Sequence, residues 1–440
     1  MNLNKWLDSV ATAGKALLGQ KASRVSSVAS PVDELVIRCE QLLSSRGEAL
    51  GTALACTVVD AYLSLNADQK LQFFKRLQSE FTADSDRLEQ AISTYREAPD
   101  GEALYALHEA SEPRRQELFR RINMAPKGTQ TIVGLRADLL SVLKAHPELK
   151  EVDGDLRHLM RSWFNRGFLR LVQIDWQTPA HILEKLISYE AVHAMDGWDD
   201  LRRRLAEDRR CFAFFHPAME DEPLIFVEVA LTRGLSGSVQ ELLNAEVNSA
   251  MQSQADTAIF YSISDCQEGL KGISFGNFLI KQVVMELRQQ LPTLAQFATL
   301  SPIPGFVSWL KSNPDILAAH AELQDSVNQV LAEGLNAEFE GLPKDNLLLA
   351  VCAHYLASAK RGELPQDPVA RFHLRNGASI GRLNWLGDCS ANGLRQSLGM
   401  MVNYCYDLKS LEQRHENYVN DYVVATERTF QKQLASWAAC

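Results

Sequence analysis

The hydrophobic period of this chain changes partway along it, and that change limits the architectures it can adopt. From Val32 to about Asn165, apolar residues recur three and four apart, as in ELVIRCEQLLSS, LQFFKRLQSEF, LRADLLSVLKAH and LRHLMRSWFNRGFLRLV. That spacing gathers them on one side of a helix. The breaks, such as NADQK and EAPDGEA, are short and polar, so residues 31–165 are expected to form an all-helical bundle domain. After about Phe168 short, partly β-branched apolar runs take over: CFAFFH, PLIFVEVAL, TAIFYSIS and AQFATL, each of strand length. Between the last two, FGNFLIKQVVMELRQQL puts Ile280, Val283, Val284, Leu287 and Leu291 on one helical face. Strand, loop, helix and strand make a βαβ unit, which demands at least one parallel pair. From about Pro314 onward the expectation is helix again. The fold class is therefore α+β: a leading segment (1–30), an N-terminal all-α domain (31–165) with a structural or assembly role, and a mixed α/β domain (166–440). A length of 440 residues agrees with two domains.

Composition removes several functions. A net charge of -10 argues against a general nucleic-acid binder, whose footprint would be basic. No apolar run approaches the roughly 18 residues of a membrane span. The eight cysteines, at 39, 56, 211, 266, 352, 389, 405 and 440, form no CxxC pair, so no metal site is expected. Their dispersion fits reduced thiols in a cytosol. Cys389 and Cys405 stand as nucleophile candidates against the plainer reading of small apolar residues. Residues 1–30, rich in Ala, Ser and Lys with Asp8 as their one acid, read either as an organellar transit peptide or as an amphipathic helix with a Ser-rich link.

Three stretches carry potential chemistry. Lys271, Gly272, Ile273, Ser274, Phe275, Gly276 and Asn277 lie between a strand and a helix, where free amides, a positive helix end and glycines can seat a phosphate. The arrangement resembles the coenzyme A loop of the Gcn5-related N-acetyltransferase fold, although K-G-x-x-x-G departs from that family's Q/R-x-x-G-x-G/A spacing. TLSPIPGF places Ser301 at the carboxyl end of a strand, in a loop stiffened by Pro302 and Pro304 and turned by Gly305. DPVARFHLRNGA supplies His373 ahead of the turn signal Asn376-Gly377. A hydroxyl and an imidazole are the parts of a proton-handling pair. Taken alone, each stretch also has a bland reading: a turn before a helix, an SP-PG turn, a structural histidine. His193 and His216 compete with His373 and read as packing or hydrogen-bonding residues. Arg382, Asn384, Trp385, Tyr404 and Tyr406 follow, either lining a polar pocket or buried with their hydrogen bonds satisfied.

Taken in order, CFAFFHPAM, EPLIFVEVALT, AIFYSIS, GLKGISFGNFLIKQVV, LSPIPGF, PVARFHLRNGA, LNWLGD and MVNYCY resemble the malonyl-CoA decarboxylase family over most of residues 170 to 410. The resemblance implies a helical domain followed by an acetyltransferase-like catalytic domain. It places the family's catalytic serine on Ser301, its catalytic histidine on His373, a pocket tyrosine on Tyr406 and a supporting serine on Ser262. Its coenzyme A loop falls on Lys271 through Asn277. Where some relatives carry an acid in that loop this chain has Ser274, so that carboxylate's role does not transfer. Malonyl-CoA is then the expected substrate and acetyl-CoA the product, with no metal or organic cofactor, since coenzyme A belongs to the substrate. Self-association through the helical domain and a bacterial cytoplasmic location, or alternatively the mitochondrial matrix, are further expectations. The rival readings are a coenzyme A-dependent acyltransferase and a non-catalytic acyl-CoA sensor or scaffold.

Overall fold

Side-chain caps open several of the helices of the first half. In the computed structural model, Ser30 accepts the amide of Asp33 to open Pro31–Ser44, and Asn66 and Gln69 form a reciprocal capping box at the start of Ala67–Glu80. Asp84 and Asp100 cap Ser85–Glu97 and Gly101–Ser111 in the same way. The structure describes residues 30–273, 279–318 and 346–438, with isolated positions at 9, 10, 12, 324, 325, 327 and 328. Ser274, Phe275, Gly276 and Asn277 lie outside the described residues.

The chain divides into two compact units. The first comprises Met1–Arg170, Phe215–Leu224 and Cys266–Phe275. Its helices run from Pro31–Ser44 to Lys150–Trp163 and bury Leu35, Phe73, Phe119, Leu139 and Leu156. A later piece of chain is built into it. Arg136, 2% exposed, pairs with Asp153 at 2.8 Å and donates to the carbonyls of Gly269 at 2.6 Å and Lys271 at 2.9 Å. A Cβ on Gly269 would stand 1.8 Å from the Val133 carbonyl oxygen, so only glycine allows this approach. Lys271 is exposed, Ile273 is buried, and Gly272 has φ +75°, a left-handed value suited to glycine.

The second unit holds the rest of the chain and most of a mixed eight-stranded sheet. Its strands are β1 (Arg170–Ile174), β2 (Arg209–Phe215), β3 (Pro223–Thr232), β4 (Thr257–Asp265), β5 (Gln296–Thr299), β6 (Ser301–Pro302), β9 (Ser379–Asn384) and β10 (Met401–Cys405). A separate small hairpin contains β7 (Lys360–Arg361) and β8 (Leu364–Pro365). The order is β1-β2-β3-β4-β5-β10-β6, with β9 also paired to β10. Three helices matter below: α1 (Ala180–Tyr189), α2 (Leu279–Gln290) and α3 (Pro368–Arg375). β4 and β5 pair in parallel, Thr257 opposite Gln296 through Phe260 opposite Thr299, and α2 connects them. That is the βαβ unit read from the sequence, and the whole is α+β.

One expectation is corrected. The chain after Pro314 is not helix alone, because β9 and β10 lie within it and pair with each other in the sheet, β10 also pairing with β5 and β6. Both are buried nearly throughout, so the polar–apolar alternation that announces a strand is missing from their sequence. Arg382 and Asn384 therefore lie on β9, and Tyr404 on β10. Ala230, Ile259, Tyr261 and Met401 of the sheet form one core cluster with Val239, Leu242 and Leu300.

Candidate active site

The serine lies on a strand and the histidine on a helix, and the fold brings them to one place. β5 ends at Thr299, and the chain continues through Leu300 into β6, so Thr299 and Ser301 are two residues apart and share a face. β10 runs antiparallel to both strands, with Val402 opposite Ser301 and Cys405 opposite Ala298. Between those points side chains replace backbone pairing. The Tyr404 amide donates to the Thr299 hydroxyl at 3.1 Å, and the Asn403 amide group donates to the Thr299 carbonyl at 2.7 Å. Asn403 is also an acceptor for Arg382 at 3.1 Å and Asn384 at 2.9 Å, so all of its polar capacity is used inside the fold.

The histidine arrives on α3. Asp367 caps that helix by accepting the amides of Val369 and Ala370, each at 2.9 Å, with Pro368 in the first position. Gly377 ends the segment at φ +80°, and a Cβ there would fall 2.3 Å from the Leu411 carbonyl oxygen. The Asn376-Gly377 signal thus marks a helix end. Gly305 is a different case. Its φ is -93°, ordinary for any residue, but a Cβ would lie 2.2 Å from the Tyr355 hydroxyl. Its role is close approach, not the conformational freedom expected of a turn.

Ser301 Oγ lies 3.1 Å from His373 Nε2, and His373 Nδ1 lies 2.7 Å from the Tyr406 hydroxyl. Ser301 donates in turn to Thr299 Oγ1 at 2.8 Å. The Tyr404 ring stacks on the imidazole, with centroids 4.4 Å apart and planes 24° apart, and Tyr406 meets it edge-on at 6.1 Å. All five residues are buried. Burial pushes the His373 pKa down to about 3, so the imidazole is neutral near pH 7. It also pushes the Tyr406 phenol well up, which keeps its proton in place.

Ser301 and His373 form part of the wall of a cavity of about 300 Å³. The rest is mostly apolar: Val192, Ile225, Val227, Ile280, Leu300 and Phe372 among others. Such a space takes the reacting end of a ligand, being at the lower limit of the roughly 300–1,000 Å³ typical of ligand pockets. Ser262 also lines it and donates to the carboxylate of Glu190, at 2.8 and 2.9 Å from its two oxygens. Glu190, directly after α1, accepts further from Ser264 at 3.2 Å and from the amides of Val192 and His193, each at 2.8 Å. Sequence reasoning missed Glu190 and Thr299. A glutamate after a helix and a threonine in a strand carry no local signal; Ser262 lies 72 residues from Glu190, and the Tyr404 amide that Thr299 accepts lies far along the chain.

The remaining candidates have surroundings of their own. Lys271 and Ile273 belong to the first unit. His216 packs there too, its Nε2 lying 3.1 Å from the Trp163 carbonyl and its Nδ1 accepting the Ala218 amide. Burial raises the Cys405 thiol to about 11, and Cys389 is raised as well, so neither is a ready thiolate. Among the described residues no group of three or more His, Cys, Asp or Glu is placed to hold a metal. Nor is any described helix long and apolar enough to cross a membrane.

A buried phenol–imidazole–hydroxyl chain ending at an apolar cavity is an arrangement able to hold a proton away from bulk water. Residues 167–439 match the malonyl-CoA decarboxylase C-terminal domain, and residues 81–164 match the N-terminal domain of the same family. The mitochondrial malonyl-CoA decarboxylase of Anser anser anser is 39% identical over 346 residues, 72% of this chain and 68% of that protein. The Mus musculus enzyme is 37% identical over 69% of this chain and 67% of its own length. Among solved structures, malonyl-CoA decarboxylase from Rhodopseudomonas palustris superposes with a TM-score of 0.86 at 47% identity, covering 92% of this chain and all of that one (100%). The Agrobacterium vitis structure gives 0.85 at 47%, covering 91% of this chain and 99% of its own. The chain belongs to the malonyl-CoA decarboxylase family.

Proposed function

We propose that this protein converts malonyl-CoA to acetyl-CoA and carbon dioxide, with Ser301 and His373 at the reacting carbon and without a metal or organic cofactor. The observation that carries the reading is the buried 3.1 Å contact between Ser301 and His373 at the wall of the apolar cavity, in a chain of this family. Loss of carbon dioxide leaves an enolate, and its charge gathers on the thioester oxygen. Preplaced donors around that oxygen lower the barrier, and the His373 N–H, which Ser301 positions, is such a donor. The apolar walls offer the departing carboxylate no hydration, which favours its leaving as a neutral molecule. The thioester is the electron sink.

The net reaction takes up one proton, which must reach carbon. His373 is its donor and Ser301 its partner, positioning the malonyl group. Burial is what lowers the imidazole pKa to about 3. A malonyl carboxylate brings a negative charge beside it and raises that value. Tyr406 holds Nδ1 from behind. Residues Lys271 to Asn277 seat the pyrophosphate, self-association runs through the helical domain, and the compartment is cytoplasmic.

Purified protein mixed with malonyl-CoA alone, followed by mass spectrometry, tests the reaction. Repeated turnover to acetyl-CoA without added metal or amine is expected. Binding without acetyl-CoA would refute it and favour a sensor, whereas turnover only with an added amine would favour an acyltransferase.

A further inference from the structure

Thr299 closes the buried chain at the end opposite Tyr406. Its oxygen accepts the Ser301 hydroxyl proton at 2.8 Å and the Tyr404 amide at 3.1 Å, and it is wholly buried. A serine hydroxyl has a single proton. With that proton directed to Thr299, Ser301 turns only lone pairs toward His373 Nε2, 3.1 Å away. For that contact to be a hydrogen bond, Nε2 must carry hydrogen. A neutral imidazole has one N–H, so Nδ1 is then bare and accepts the Tyr406 hydroxyl at 2.7 Å.

Every donor along Tyr406, His373, Ser301 and Thr299 then points the same way. The reversed chain would run from Thr299 to Ser301, to Nε2, and from Nδ1–H to the Tyr406 oxygen. It would leave the Tyr406 phenol proton without an acceptor in the chain, where the forward order leaves that of Thr299. A phenol is the stronger donor of the two hydroxyls and a bare ring nitrogen the stronger acceptor, so the forward order keeps the best pair. The 2.7 Å separation at Tyr406, the shortest of the three links, agrees.

We propose that Thr299 is a positioning residue that sets the polarity of this chain, holding His373 as the Nε2–H tautomer so that it meets the substrate as a proton donor and Ser301 does not meet it as an activated nucleophile. The inference rests on the proposed decarboxylase reading for its purpose, but the tautomer is a property of the resting protein and is measured without substrate.

The test is two-dimensional NMR of 15N-histidine-labelled full-length protein, with the His373 signals assigned by their loss in His373→Gln. Wild type and Thr299→Ser, which keeps the accepting oxygen, should both show the Nε2–H form. Thr299→Val keeps the shape but not the acceptor. It frees Ser301 to donate to Nε2, so the population should move toward Nδ1–H. With malonyl-CoA its kcat should fall by about tenfold, the worth of one hydrogen bond, at nearly unchanged KM, and Thr299→Ser should restore it. A wild-type spectrum in the Nδ1–H form overturns the proposal, even if Thr299→Val fails to fold. A folded Thr299→Val that keeps the Nε2–H form also overturns it, whatever its kcat. Failure of the decarboxylase reading would appear separately, as absent turnover in a wild type with the expected tautomer.

Discussion

Replacing His373 by glutamine should remove a pH dependence of stability that follows from the burial of this ring. The imidazole is 3% exposed and its pKa is pushed down from 6.5 to about 3. In the unfolded chain the same ring takes a proton below about pH 6.5. Between these values the unfolded state binds a proton that the folded state refuses, so stability falls as the pH falls. The slope approaches ~1.4 kcal/mol per pH unit. Two units below the unfolded pKa, at pH 4.5, the cumulative loss is about 3 kcal/mol, a large share of a typical ~5–15 kcal/mol stability. His193, His216 and His354 also have lowered pKa values, chiefly through burial, and contribute in the same direction. They are present in both proteins and cancel in the difference. Urea unfolding of wild type and His373→Gln at pH 7, 6, 5 and 4.5 measures it. The variant will be less stable at pH 7, because Ser301 and Tyr406 lose their partner, but the gap should close by about 3 kcal/mol toward pH 4.5. Parallel curves would refute the argument and mean that the ring is protonated in the fold or reached by water.

Three further outcomes follow from the same geometry. Ser301→Ala should lose about a hundredfold to a thousandfold in kcat while still binding coenzyme A by calorimetry; wild-type turnover would remove Ser301 from the site. Gly305→Ala should destabilise the protein by about 1–3 kcal/mol, because its Cβ falls 2.2 Å from the Tyr355 hydroxyl, and Tyr355→Phe in the same chain should recover part of the loss in thermal unfolding. Arg136→Met should cost about 3–5 kcal/mol by leaving Asp153 and the Gly269 and Lys271 carbonyls without their buried partner, read as a lowered unfolding midpoint.

Much of the site was legible as residues and little of it as geometry. Ser301 after a strand, His373 before Asn376-Gly377 and Tyr406 beyond them could be named from the chain, yet nothing in their spacing gave the 3.1 and 2.7 Å contacts that join them. The stretch from Ser379 to Cys405 offers polar and aromatic residues that either line a pocket or are buried with their hydrogen bonds satisfied, and nothing in it announces the strands β9 and β10. A strand buried on both faces loses the alternation by which it is recognised. Gly305 was rightly marked as special, but for the wrong physical reason, since a forbidden contact with Tyr355 cannot be seen from the residues beside it.

The sequence by itself determined the order and kind of the elements. A 3.6-residue apolar period makes helices whatever they pack on, capping residues start them, and a helix between two β-branched runs forces β4 and β5 to be parallel. Those are consequences of local periodicity and chirality. Only the tertiary structure decided the protonation of the site. Thr299 receives the Tyr404 amide where β10 leaves a gap in its pairing, and Glu190 reaches Ser262 across 72 residues of chain. His373 is neutral because the fold excludes water from it. Charge and proton position depend on what surrounds a group in space, and that is set by the packing of elements distant in the chain.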